Sequence, residues 1–195
     1  NQGDSEYALT VLKHAVQVVE TTFGPEHPEM SETLASIGLM HLRQGDAVSA
    51  LAAFQRNLTI NEKAFGSESL AAGALLVWVG TCYAKLGRIA EAAAQQERGL
   101  TILERTLVPD DAFVSNTRSG LADLHARQGD FALAVPLLEK NVDVKEKVLG
   151  AGVLKVLTEV VTPPQPLAIS ERSRTNAILL SECYVQLCYA QRNLG

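Results

Sequence analysis

One spacing constrains this chain more than any other feature. The turn signals Gly3-Asp4, Gly45-Asp46, Gly87-Arg88 and Gly129-Asp130 recur every 42 residues. Phe23-Gly24, Phe65-Gly66, Leu107-Val108 and Leu149-Gly150 keep the same interval, and a column of Ala8, Ala50, Ala92 and Ala134 stands between the two sets. A fixed period of about 20–50 residues marks a solenoid, in which each repeat buries its apolar face against its neighbours. The chain has 195 residues and is 47% hydrophobic, enough to bury a substantial core without dividing into globular domains.

Within each period the apolar residues fall at three- and four-residue intervals, the spacing of one helix face. Residues 1–24 read as a turn and then a helix capped by Asp4 or Ser5, with Ala8, Leu9, Leu12, Ala15, Val16 and Val19 on its apolar stripe. That helix is expected to be the second of a repeat entered in its middle. Residues 28–66 form the first complete repeat, with Pro28 in the first turn of a helix that carries Leu34, Ile37, Gly38, His41 and Leu42. Asp46 then caps a second helix with Leu51, Phe54, Leu58 and Ile60. A link of two or three residues forces the two helices antiparallel. Gly38 and Ala50 are expected to face each other and let the pair close. The plan repeats over 70–108 and 112–150, with Gly80 and Ala122 keeping the small column. His41, Tyr83 and His125 share one position, that of an interhelical packing residue.

After Gly150 the period breaks. The next matching glycine, Gly195, stands 66 residues after Gly129, so 24 residues have been inserted. The insert pairs an apolar stretch (Val153, Leu154, Val156, Leu157, Val160, Val161), helix or strand, with a Thr162-Pro163-Pro164-Gln165-Pro166 loop. The expected organisation is an array over 1–150, an insertion over 151–172 and the first helix of a further repeat over 173–195. That last helix is apolar on more than one face, so further repeats or another subunit are expected to cover it. The fold class is all-α: a right-handed superhelical solenoid of antiparallel helix pairs.

Composition narrows the function. A net charge of −5 with interspersed signs argues against nucleic acid, which would call for a basic patch. No apolar run approaches the roughly 18–20 residues of a membrane span. Cys82, Cys183 and Cys188 form no ligand or disulfide framework and read as free thiols in a reducing compartment. There is no His-Glu-x-x-His, phosphate loop or nucleophile elbow. The expectation is a chain with no metal, no cofactor and no catalysis.

These columns carry a resemblance. Gly38, Gly45, Ala50 and Phe54 are similar to the tetratricopeptide signature. Phe23-Gly24-Pro25-Glu26-His27-Pro28, with the helix endings Ile60-Asn61-Glu62-Lys63-Ala64-Phe65-Gly66 and Val144-Lys145-Glu146-Lys147-Val148-Leu149-Gly150, resembles the 42-residue kinesin-light-chain type. Val135-Pro136-Leu137-Leu138 resembles that type's proline early in the second helix. The resemblance covers 1–150 and about 173–195, and it implies an interaction scaffold. It also implies paired asparagines on each first helix, but the matching places hold Ala35-Ser36, Val77-Trp78, Ser119-Gly120 and Val185-Gln186.

Helical geometry directs a set of first-helix positions to the concave side, namely Leu39, Arg43, Val77, Trp78, Thr81, Lys85, Asn116, Ser119, Asp123 and Arg127. Trp78, the single tryptophan, reads either as a partner anchor or as packing between neighbouring helices. Arg43, Lys85 and Arg127 form a basic column that either meets an acidic partner or offsets helix dipoles. Glu62-Lys63, Glu104-Arg105 and Glu146-Lys147 read as solvated helix ends. The function expected is protein or peptide binding in a cytoplasmic setting, with cytoskeletal or ciliary association as one possibility. Two alternatives stand beside it: an architectural segment of a cytoskeletal or axonemal assembly, and a regulatory array of a signalling enzyme.

Overall fold

Seven α-helices account for most of the residues described by the computed structural model, which are 2–149, 186 and 189–193. They are α1 (Gln2–Phe23), α2 (Met30–Arg43), α3 (Ala47–Phe65), α4 (Leu70–Lys85), α5 (Ile89–Thr106), α6 (Ala112–Gln128) and α7 (Phe131–Leu149). Gln186 and Tyr189–Arg192 are helical as well. No strand occurs among the described residues. The chain forms two compact units, Asn1–Thr106 with α1–α5 and Leu107–Gly195 with α6 and α7. The insertion over 151–172, its apolar stretch and proline loop, Cys183 and Cys188 lie outside the described residues.

The tight turn within each hairpin repeats down to its hydrogen bonds. Gly45, Gly87 and Gly129 take φ of 80°, 76° and 84°, a left-handed conformation that costs a residue without Cβ nothing. Each allows the next N–H to reach back over the helix end: Asp46 to the His41 carbonyl, Arg88 to Tyr83 and Asp130 to His125, all at 2.9 Å. One residue therefore closes a helix and starts the next. Asp46 completes this by accepting the Ser49 N–H at 3.0 Å as the cap of α3.

Hydrogen bonding from the Ser49 side chain and backbone, helped by His41 whose Nδ1 lies 3.3 Å from the carboxylate, holds Asp46 below its ordinary pKa of 3.8. A depressed folded-state pKa stabilises above the ordinary value, and the contribution is lost as pH falls through the folded one. Asp46→Asn keeps an acceptor at the cap but removes the charge. Thermal midpoints measured from about pH 5 to pH 2 should therefore fall less steeply for the variant than for the parent.

Two boundaries differ from expectation. α1 already runs from Gln2, so Asp4 and Ser5 lie within it rather than capping it. α2 begins at Met30, and Pro28 stands just outside, its carbonyl accepting the Ser31 N–H at 2.9 Å. Pro136 lies inside α7 on its exposed side. There the carbonyl that proline deprives of a partner can turn to water.

In the first unit the core is shared between successive helices. Met30, Leu34 and Ile60 pack with Val16 and Val19, joining α1 to the α2–α3 hairpin. Leu9, Ile37 and Ala53 form a second contact. Small residues then set how near the helices come. A methyl on Gly38 would sit 2.6 Å from the Phe54 ring, so the space beside Gly38 is filled by Phe54, not by the expected Ala50. A methyl on Gly80 would lie 2.9 Å from the Ala92 carbonyl.

A polar column crosses the hairpins at the same register. Asn57 Nδ2 donates to the Ser31 carbonyl at 2.8 Å, and Asn141, two periods on, donates to the Ser115 carbonyl at 2.9 Å. Both side chains are about 1% exposed, so these bonds satisfy groups that water cannot reach. The hairpin between them has Gly99 and Gly73 at these places. A methyl on Gly99 would lie 2.8 Å from the Gly73 carbonyl, so backbone meets backbone where the other hairpins use an amide.

The charged second-helix ends are less free than expected. Arg56 meets Glu20 at 2.6 Å, and one period on Arg98 meets Glu62 at 2.8 Å. Lys63 meets Glu26 and Arg105 meets Glu68, both at 2.6 Å and again one period apart. The 42-residue period thus builds two ladders of ion pairs, each partly or fully exposed and worth about 0.2–1 kcal/mol.

Candidate functional site

The expected concave residues divide between the two units. In the first, Leu39 of α2 and Trp78 of α4 lean on a cluster of Ala50, Leu51, Phe54, Leu75, Val79 and Cys82. The Trp78 indole stacks on the Phe54 ring with centroids 5.8 Å apart and planes within 11°. Leu42 closes over the same cluster. Trp78 is therefore half-buried packing within its own unit. Val77 is buried, and the Thr81 hydroxyl donates to the Val77 carbonyl at 2.9 Å. Arg43 and Lys85 are exposed in the last turns of α2 and α4, where a cation offsets the helix dipole.

The second unit is arranged differently. Asn116, Asp123 and Arg127 are exposed on α6, and Ser119 is half-buried. Arg127 Nη1 stands 4.0 Å from Asp123 Oδ2, one helical turn away, which is a loose pair. Behind these residues opens a cavity of about 340 Å³. Its α6 wall is Ser119, Ala122, Asp123 and Ala126, and its floor is Ala134 and Leu138 of α7. Gln186, Tyr189 and Ala190 close the far side. The lining is largely apolar, with Ala122, Ala134, Leu138 and Ala190 each at most 3% exposed. Polar groups are confined to the rim.

Asn141 braces this wall. Its Nδ2 donates to the Ser119 hydroxyl at 3.0 Å as well as to the Ser115 carbonyl. Its Oδ1 receives Arg118 Nη1 at 3.3 Å. Arg118 is 2% exposed and stands where Leu34 and Leu76 stand in the other hairpins. Sequence reasoning missed Asn141, Arg118 and most of the cavity lining. The 42-residue register was the available signal, because Asn57 and Asn141 share a column.

The chemistry available here is that of recognition. Among the described residues no three His, Cys, Asp or Glu side chains gather as metal ligands. Burial pushes the Cys82 thiol up to about 11, against a smaller opposing effect of Lys85. It is protonated at neutral pH and a poor nucleophile. No helix among the described residues is long and apolar enough to cross a membrane.

Helix hairpins of fixed period, closed by a left-handed glycine and kept close by small residues, define a helical repeat scaffold. The tetratricopeptide repeat profile matches residues 1–63 and 70–147, and the chain belongs to that family. Solved structures agree on the fold. One is the Q17M form of a kinesin-light-chain protein with nearly identical tetratricopeptide-like repeats from Podosopora anserina. It superposes with a TM-score of 0.73 at 20% identity, covering 99% of this chain and 84% of that one. BtubC (BKLC) from P. vanneervenii gives 0.70 at 14% identity, over 98% and 71% of the two chains. Apo RapI gives 0.63 at 14%, over 98% and 78%. Identities this low speak for the fold alone. A search of curated proteins returns no match.

Proposed function

We propose that the chain is a non-catalytic module that holds a segment of a partner protein on the α6 face of its second unit. Tetratricopeptide repeats in general mediate protein–protein interaction, and the proposal concerns where this one does so. The cavity beside α6 carries it. Ser119 and Asp123 line an apolar recess with a polar rim, a form suited to one inserted side chain and a few directing hydrogen bonds. On the first unit Phe54, Trp78, Leu39 and Leu42 occupy the corresponding ground themselves. Arg43 and Lys85 serve the ends of their own helices there.

Peptides selected from a random display library on the 1–195 chain test this. Clones are expected to bind Ala126→Trp, which obstructs the recess, at least about tenfold more weakly than the parent, equivalent to roughly 1.4 kcal/mol. A selected pool that binds both proteins equally would place recognition elsewhere and overturn the reading.

A further inference from the structure

The repeat register matches the recess of the second unit, residue for residue, with a place that is full in the first. Two periods separate Gly38, Leu39, Leu42 and Phe54 from Ala122, Asp123, Ala126 and Leu138. Two periods and the 24-residue insert separate Trp78 from Gln186. The filled side holds the stacked rings of Phe54 and Trp78 with Leu39 and Leu42 against them. The open side has a smaller side chain at each of those four places: Leu138, Gln186, Asp123 and Ala126. Ala122 in the place of Gly38 returns only a methyl. The cavity of about 340 Å³ opens beside these smaller residues.

We infer that this recess is an unplugged copy of the Trp78 seat, and that it takes one large apolar side chain from an extended partner segment carrying lysine or arginine beside it. The inference rests on the reading of the α6 face given above and names its ligand. The shape follows from the chain itself, since the matching register one unit earlier seats an indole against an aromatic ring. Charge is argued from the rim. Where the filled copy has Leu39, the open copy has the exposed carboxylate of Asp123, which Arg127 approaches only to 4.0 Å. A basic neighbour on the ligand can approach Asp123 more closely than that. An acidic one would meet a like charge at the mouth. The Ser119 hydroxyl already accepts from Asn141, which leaves its proton as a donor for a ligand carbonyl.

Fluorescein-labelled pentapeptides acetyl-Gly-Lys-Trp-Lys-Gly, acetyl-Gly-Lys-Ala-Lys-Gly and acetyl-Gly-Glu-Trp-Glu-Gly, titrated with the 1–195 chain, supply the test by anisotropy. The first is expected to bind at least about tenfold more tightly than either of the others. Gln186→Trp rebuilds the plug, and should raise the thermal midpoint while weakening the Lys-Trp-Lys peptide by a similar factor. Ala126→Leu, which restores the place of Leu42, provides the same readout should the larger residue disturb folding. Asp123→Asn should bring the lysine and glutamate peptides closer together. Equal binding of the lysine and glutamate peptides, or binding untouched by Gln186→Trp and Ala126→Leu alike, overturns the inference. If none of the pentapeptides binds while display-selected clones still lose to Ala126→Trp, the inference falls and the α6 face stands. Clones indifferent to Ala126→Trp remove both.

Discussion

Phe54→Ala is expected to cost about 3–5 kcal/mol, the largest single effect in the first unit. The ring is fully buried, supports the Trp78 indole and fills the hollow beside Gly38. At roughly 2–4 °C per kcal/mol for a chain of this size, the thermal midpoint should drop by about 6–20 °C. A sharper form of the prediction uses the repeats. Gly38→Ala alone brings a methyl within 2.6 Å of the ring and should cost about 1–3 kcal/mol through overpacking. Phe54→Leu alone leaves an unfilled hollow and should cost about 1–2 kcal/mol. Together they recreate the combination that Ala122 and Leu138 make in the second unit. The double variant should therefore be more stable than the two losses summed, by about 1 kcal/mol or more. Strict additivity would mean that the Gly38–Phe54 contact does not set the spacing of this hairpin.

The second large effect is expected at Gly99. Its missing side chain faces the Gly73 carbonyl at 2.8 Å and the Val77 Cγ2 at 2.9 Å. The first of these is backbone of α4 and cannot rotate away. Gly99→Asn installs the amide found at Asn57 and Asn141, yet it should destabilise by about 3 kcal/mol, the upper end of overpacking. The helices of this hairpin are already too close for the amide to stand between them. Measured as a midpoint, the shift is about 6–12 °C. A neutral or stabilising result would show that α4 and α5 can separate to the distance seen between α2 and α3.

These two sites also show what could be read beforehand. Glycines at 45, 87 and 129 and alanines at 50, 92 and 134 declare the turns and the helix order, because backbone conformation and small volume are local demands. Which residue meets the small column is not local. Gly38 faces Phe54 in one hairpin, Gly80 meets the Ala92 carbonyl and Gln96 in the next, and neither pairing follows from the column alone. The Asn57–Gly99–Asn141 column is visible on the page, but its meaning depends on a carbonyl 26 residues earlier in the two asparagine cases. The ion-pair ladders were missed for the same reason: Glu62 and Arg98 look like separate surface charges until successive hairpins are stacked. For the candidate site, helical geometry placed Ser119 and Asp123 on the concave face, and both line the cavity. It could not tell that Trp78 is held by Phe54. The register did match Gln186 with Trp78, but did not reveal the recess that Gln186 lines.

The turn within each hairpin uses one residue to end a helix and begin another, so lengthening it would break a helix terminus on both sides at once. The joints between hairpins carry no such double duty. Gly24 and Gly66 mark two of them, Val108 stands at the third without a glycine, and the 24 extra residues follow the fourth, at Leu149-Gly150. Lineages of this protein should accordingly gain and lose residues only at one kind of junction, about every 42 positions. New surface can then be added there without renegotiating any hairpin already in place.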